Sequence, residues 1–246
     1  MSGADAGTSV LVRGLTFSFR DRNVFDKVDL ELPSGLTFVV GANGAGKTTL
    51  FRLVLGDLKP AQGKITLPSA IAGHDKIGYL PQGFGYPPRF TVAEFVAHFA
   101  WLRGVPARER QALVREALAR TGLETRAEDR MGALSGGLLR RAGIAQALVH
   151  RPKLVLLDEP TVGLDPRQRM ELRSLVSELA ADTTMAISTH LLEDVAVLGG
   201  NVVVLHEGSV RFTGTVEQMA AMADDGPGSD LDRAFLVLTR ESEAIR

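Results

Sequence analysis

Residues 36–49 read LTFVVGANGAGKTT, an apolar run that passes without a break into a glycine-rich loop and then into Lys-Thr-Thr. Behind it, Leu50, Phe51, Val54 and Leu55 fall on one stripe at helical spacing. The order predicted is therefore a buried strand, a tight loop and a helix running from Thr48 to Leu58, stopped by Lys59-Pro60. The loop from Gly41 to Thr48 fits G-x(4)-G-K-[ST] in full. Gly41, Gly44 and Gly46 let the backbone turn with its N–H groups inward, and Asn43, Ala45 and Thr49 complete the stretch. A polyphosphate is satisfied by those N–H groups and by the helix N-terminus behind them. Lys47 adds a point charge for the β- and γ-phosphates, and the Thr48 hydroxyl is a ligand for Mg²⁺.

A matching half lies a hundred residues on. KLVLLDEP, 153–160, is a short apolar run ending in two acids. Such a run suits a parallel strand buried on both faces. Asp158 at its end can hold Mg²⁺ through water. Glu159, one residue further, stands beyond the strand edge as the candidate to orient or deprotonate an attacking water. Alone, the pair reads equally well as a strand ending in a solvated turn; the upstream loop gives it chemical meaning.

Between and around these motifs the pattern alternates. LVRGLTFSF and VDLEL have period-2 character, with Asp21-Arg22-Asn23 and Pro33-Ser34-Gly35 as turns. Residues 64–81 return to strand character, ending in IGYLPQ. From about 88 to 150 the pattern is helical, including TVAEFVAHFAWLRG and an Arg-rich helix over 106–121. Arg108, Arg110, Arg115 and Arg120 alternate there with Glu109 and Glu116, which reads as a solvated face. Downstream come a helix over 166–181, the strand TTMAIST, the helix LLEDVAVLG and a hairpin from NVVVLHEG and SVRFTG. ADDGPGSD reads as a linker before a short helical LDRAFLVLT. The fold class expected is α/β with a mostly parallel sheet, an N-terminal antiparallel β subdomain and an inserted helical subdomain. One domain is expected over 1–222, with the helical lobe inside it and a short element over 223–246.

Composition narrows the function. The chain has 246 residues, a formal net charge of −1 and no cysteine. Disulfides, thiolate zinc and iron–sulfur ligation are excluded, and no nucleic-acid partner is expected from so even a charge balance. MSGADAGTSV has no basic region before an apolar stretch, so no signal peptide is expected. No run of 18 apolar residues suggests a membrane span.

Four further features stand in order: Gln82 closing IGYLPQ, ALSGG at 133–137 ahead of the helical LLRRAGIAQALVH, GLDP at 163–166, and His190 closing ISTH. With the loop and the acidic pair, the set closely resembles the ATP-binding subunits of ATP-binding cassette (ABC) transporters over roughly residues 10–220. The resemblance implies a P-loop core with ATP and Mg²⁺ as ligands. It implies that Gln82 contacts Mg²⁺ and the attacking water, and that His190 contacts the γ-phosphate. It further implies that Ser135, Gly136 and Gly137 close on ATP held by a second subunit, and that Asp165 links the two sites. Phe19, in FSFRDR, stands where the family has an aromatic stacked on adenine; core packing is the alternative.

His74, His98, His150 and His206 match no motif. Phe84, Tyr86, Phe90 and Trp101 read as lobe core, or as contacts to the membrane partner such a subunit has. The chain departs from the family pattern at Ala42, where proline is common, and at Leu138, where the signature ends in glutamine. The partners implied are a second copy of the subunit and a separate integral membrane permease reached from the cytoplasmic side. Short segments resemble the exporters of drugs, antibiotics and bacteriocins. The alternative is a soluble ABC ATPase of the iron–sulfur scaffold type; a kinase or GTPase leaves LSGG unexplained.

Overall fold

A computed structural model describes residues 9–20, 22–69, 71 and 76–240. Asp21, His74 and the first eight residues lie outside them. The chain divides into two compact units. One is assembled from Ser9–Thr66 and Ser188–Arg246; the other, over its described residues, comes from Leu67–Ile187. In chain order the elements begin β1 (Val10–Phe19), β2 (Arg22–Leu32), β3 (Leu36–Val40), α1 (Lys47–Leu55), β4 (Gln62–Thr66) and β5 (Ile77–Leu80). Helices α2 (Val92–Leu102), α3 (Ala107–Arg120) and α4 (Gly136–Leu148) follow, then β6 (Leu154–Asp158), α5 (Pro166–Ala180) and β7 (Thr184–Thr189). The chain closes with α6 (Leu192–Leu198), β8 (Asn201–His206), β9 (Ser209–Thr215), α7 (Val216–Ala220) and α8 (Asp230–Thr239).

In the discontinuous unit, β2-β1-β4 form a three-stranded antiparallel sheet. Val10, Val12, Leu15 and Phe17 of β1 face inward with Phe25, Val28, Leu30 and Leu32 of β2, the period-2 alternation being broken by register shifts between Val12 and Leu15 and between Leu15 and Phe17. Arg22 and Asn23, expected in the turn, already belong to β2, because the strands stay paired up to Phe19↔Arg22. The apolar LTFVV is β3, buried from Thr37 to Val40 and paired in parallel with β8, Thr37 opposite Asn201. β8 turns back into β9 as the expected hairpin.

Helix α1 buries the predicted stripe but ends three residues early. Gly56 adopts φ 78 and its N–H returns to the Leu53 carbonyl, a left-handed C-cap that stops the helix before Lys59-Pro60 is reached. Short α7 carries no periodic stripe and is not among the expected elements. Its signal is the Thr215/Gln218 capping box.

In the continuous unit, β5 and β6 run parallel with Leu80 opposite Leu157, and β7 lies beside β6. Helices α2, α3 and α4 share one apolar core that includes Phe95, Val96, Val114, Leu118, Met131 and Ala145. Phe84, Tyr86 and Phe90 pack against it, whereas Trp101 is 56% exposed. The Arg-rich α3 is only partly a solvated face. Arg108 and Arg115 are exposed, but Arg120 reaches Asp182 and Thr183, and Glu116 pairs with Arg151. Among the described residues no helix is long and apolar enough to cross a membrane.

Candidate functional site

The loop between β3 and α1 has the form its glycines predict. Gly46 stands at φ 106 as the N-cap of α1, and a Cβ there would meet the Phe25 ring at 2.8 Å. Gly41 is required for a different reason: a Cβ would meet the Leu205 carbonyl at 2.4 Å. No side chain caps α1, so an anion's oxygens suit its first N–H groups. Lys47 is 5% exposed, and its ammonium donates to the carbonyls of Gly41 (2.8 Å) and Ala42 (3.1 Å). The charge is thus held inside the curve of the loop. Asn43, Gly44 and Thr48 are exposed, Ala45 is buried and Thr49 half-buried.

Other expected residues belong to the same unit. Gly41 N–H donates to the carbonyl of Thr189 at 3.3 Å, which ties the loop to the residue just before His190; His190 itself is exposed. Phe19 is 43% exposed and meets Phe17 edge-on at 4.8 Å, so it is a surface ring and not core. Beside the loop lies a cleft of about 410 Å³ lined by Arg22, Asn23, Ala42, Asn43, His206 and Glu207, among others. Arg22 donates to the Gly44 carbonyl at 3.4 Å. Neither Arg22 nor His206 belongs to a motif; strand pairing alone brings them there.

The remaining residues lie in the continuous unit. Asp158, the last residue of β6, is fully buried. Glu159 follows at φ 48, a left-handed conformation that costs a non-glycine residue about 1–2 kcal/mol, and is 5% exposed. The register Leu80↔Leu157 sets the positions two residues further along each chain, Gln82 and Glu159, side by side. Accordingly Gln82 Nε2 donates to Glu159 Oε2 at 3.2 Å. Ser135 proves to be the N-cap of α4, its hydroxyl accepting from Leu138 N–H at 3.5 Å, so the helix begins at Gly136 and not near Leu138. Ser135 and Gly136 are exposed, and Gly137 lies where a Cβ would crowd the Gln168 side chain at 3.1 Å. Leu138 packs against the helical core.

Asp165 caps α5, accepting from Gln168 N–H at 2.9 Å, ahead of Pro166 in the first turn. Asp165→Ala should cost about 1 kcal/mol, read as a lowered Tm, while Asp165→Asn should keep the cap and the Tm. Equal melting of all three proteins would remove this role.

A model of the family described as "ABC transporter" matches residues 25–162, which include the loop, Gln82, Ser135–Gly137 and the acidic pair. The chain belongs to the ABC transporter family. Among curated relatives, this ABC chain is 37% identical over 206 residues to the Nod factor export ATP-binding protein I of Bradyrhizobium diazoefficiens, covering 79% of the chain and 66% of the relative. It is 37% identical over 186 residues to the uncharacterized ABC transporter ATP-binding protein YxlF of Bacillus subtilis, covering 74% and 62%. The chain thus spans somewhat less than two thirds of those bacterial relatives' length. The structure of cbiO1 from Clostridium perfringens, part of the ABC transporter complex cbiONQ, superposes with a TM-score of 0.77 at 30% identity, covering 87% of this chain and 91% of that one. The ABC fold is further shown by an ATP-binding subunit of an ABC transporter at a TM-score of 0.78 and 24% identity, covering 95% and 100%. The α/β core, antiparallel N-terminal sheet and helical insert expected from the sequence are the observed ones.

Proposed function

We propose that this chain binds and hydrolyses ATP as the nucleotide-binding subunit of a bacterial ABC exporter. The observation that carries the reading is Glu159, buried at the end of β6 and held by the Gln82 amide at 3.2 Å. A carboxylate in that position orients a water and accepts its proton as the oxygen attacks phosphorus and ADP leaves. The N–H groups of Gly41–Thr49 and the Lys47 ammonium hold the phosphates; Phe19 stacks on adenine, and His190 contacts the γ-phosphate.

The oxygen donors of Thr48, Asp158 and Gln82 suit Mg²⁺, a hard cation that shares its sphere with water and phosphate. Mg²⁺ would neutralise charge developing on the phosphates.

The exposed, Ser135-capped N-terminus of α4 presents N–H groups to an anion. In this reading it closes on ATP held by a second copy, head to tail, with Asp165 linking the two sites. The catalytic domain is 1–222, with 223–246 a short appendage. The pair works a separate integral membrane permease from its cytoplasmic face. Export is supported by the names of the Nod factor relatives.

The test is a pull-down. Tagged Glu159→Gln protein, incubated with ATP and gently solubilised membranes of the source cell, should bring down a polytopic membrane protein in stoichiometric amount. Recovery of soluble partners alone would overturn the transporter reading.

A further inference from the structure

Helix α4 is fastened to the segment that carries Gln82. Three of its residues, spaced i, i+3 and i+6, face residues 79–84. Arg140 Nη1 donates to the backbone carbonyl of Gln82 at 2.7 Å. Gln146 Nε2 donates to the carbonyl of Tyr79 at 2.8 Å. Between them, Gly143 leaves room for close approach: a Cβ there would meet Leu80 Cδ1 at 2.6 Å and the Phe84 ring at 2.9 Å. The stripe therefore holds the chain on both sides of Pro81 by two side-chain bonds and one tight apolar contact.

Arg140 is the member nearest the chemistry. It is half-buried, in a cleft of about 340 Å³ shared with Gln82, Gly136 and Leu164. Burial pulls its guanidinium below the ordinary arginine value, and the described residues give it no carboxylate partner. An arginine held this way makes poor sense as a charge for its own sake. Its directed product is the fixed position of the Gln82 carbonyl, hence of the Gln82 backbone. The Gln82 side chain leaves that same backbone to hold Glu159.

The geometry points to Arg140 as a positioning residue: through the Gln82 carbonyl it sets the Gln82 amide against Glu159, and it does so from the helix that Ser135 caps. This rests on the proposed ATPase reading. It adds a role that no motif marks, since Arg140 and Gln82 are 58 positions apart.

The test compares Arg140→Met, which keeps the stem and removes the donor, with Arg140→Lys, which restores one. At saturating ATP, Arg140→Met should lower kcat by roughly ten- to a hundredfold, the scale of a small misplacement at a reacting centre. ATP affinity by titration calorimetry should stay within about twofold, because the phosphate loop is untouched, and Arg140→Lys should recover much of the rate. In a Gln82→Ala background Arg140→Met should cost little more, since both act through one side chain. Independently of turnover, the side-chain amide resonances of Gln82, assigned by their loss in Gln82→Ala, should shift in Arg140→Met and return towards wild type in Arg140→Lys. Unmoved resonances, or an unchanged kcat beside an active wild type, overturn the role of Arg140. A wild type that binds ATP and never turns it over overturns the ATPase reading, and with it the catalytic consequence. In that case the resonances still report whether Arg140 places Gln82.

Discussion

Glu159→Gln is expected to lower ATP turnover by about two to four orders of magnitude, the range a positioned general base contributes. The substitution is nearly isosteric. The new side-chain amide would keep an oxygen to accept from Gln82 Nε2, which now donates at 3.2 Å, and the residue would stay at the buried end of β6. What goes is the negative charge and, with it, the capacity to take a proton. ATP affinity should therefore remain close to wild type while phosphate release at saturating ATP collapses. The comparison is direct: purified wild type and variant, with Mg²⁺, at several ATP concentrations. Equal rates would remove Glu159 from the role of base and leave the Gln82 contact a structural one.

Lys47→Met should produce the opposite phenotype. Loss of a charge-assisted contact to phosphate is worth about 1.5–3 kcal/mol, so ATP affinity should fall by roughly ten- to a hundredfold or more. The apoprotein should suffer too. Lys47 is 5% exposed and donates to the carbonyls of Gly41 and Ala42; methionine removes the donor to the Gly41 carbonyl, while the Ala42 carbonyl keeps only the Ala45 N–H at 3.2 Å. A loss of about 1–3 kcal/mol in unfolding free energy is expected without nucleotide. Calorimetric titration with ATP and denaturant melts separate the two effects. Unaltered affinity would mean that the backbone N–H groups alone hold the phosphates.

Much of this is legible because the decisive residues are contiguous. A buried parallel strand announces itself as LTFVV or LVLLD, and a phosphate loop must carry its glycines and lysine at fixed spacing. The parts that are not legible depend on distant partners or on single backbone torsions. Gly56 ends α1 by a left-handed turn, and only its identity, not any periodicity, hints at that. Phe19 extends the inward parity of Leu15 and Phe17, yet it is exposed, as is Ser18 before it, because β1 ends there. β4 is polar and mostly exposed, with nothing apolar to mark where it begins. Ser135 and Asp165, candidates for chemistry, both prove also to be helix caps, a role their position before a helix does advertise. Arg140 could not be found from sequence, since its partner carbonyl carries no side-chain signature.

The pairing of β3 with β8 bears on how the molecule is made. Thr37 waits for Asn201, 164 positions later in the chain. At ribosomal rates of about 5–20 residues per second that interval is roughly 8–33 s. The intervening segment, Leu67–Ile187, can meanwhile condense on itself, since its unit is continuous there. Newly made Phe38, Val39 and Val40, all buried in the finished fold, must spend those seconds without the neighbour that completes their sheet edge. The strand feeding the phosphate loop is thus among the first synthesised and the last to be secured. During that window it is a target for chaperones, and for edge-to-edge association with another nascent chain.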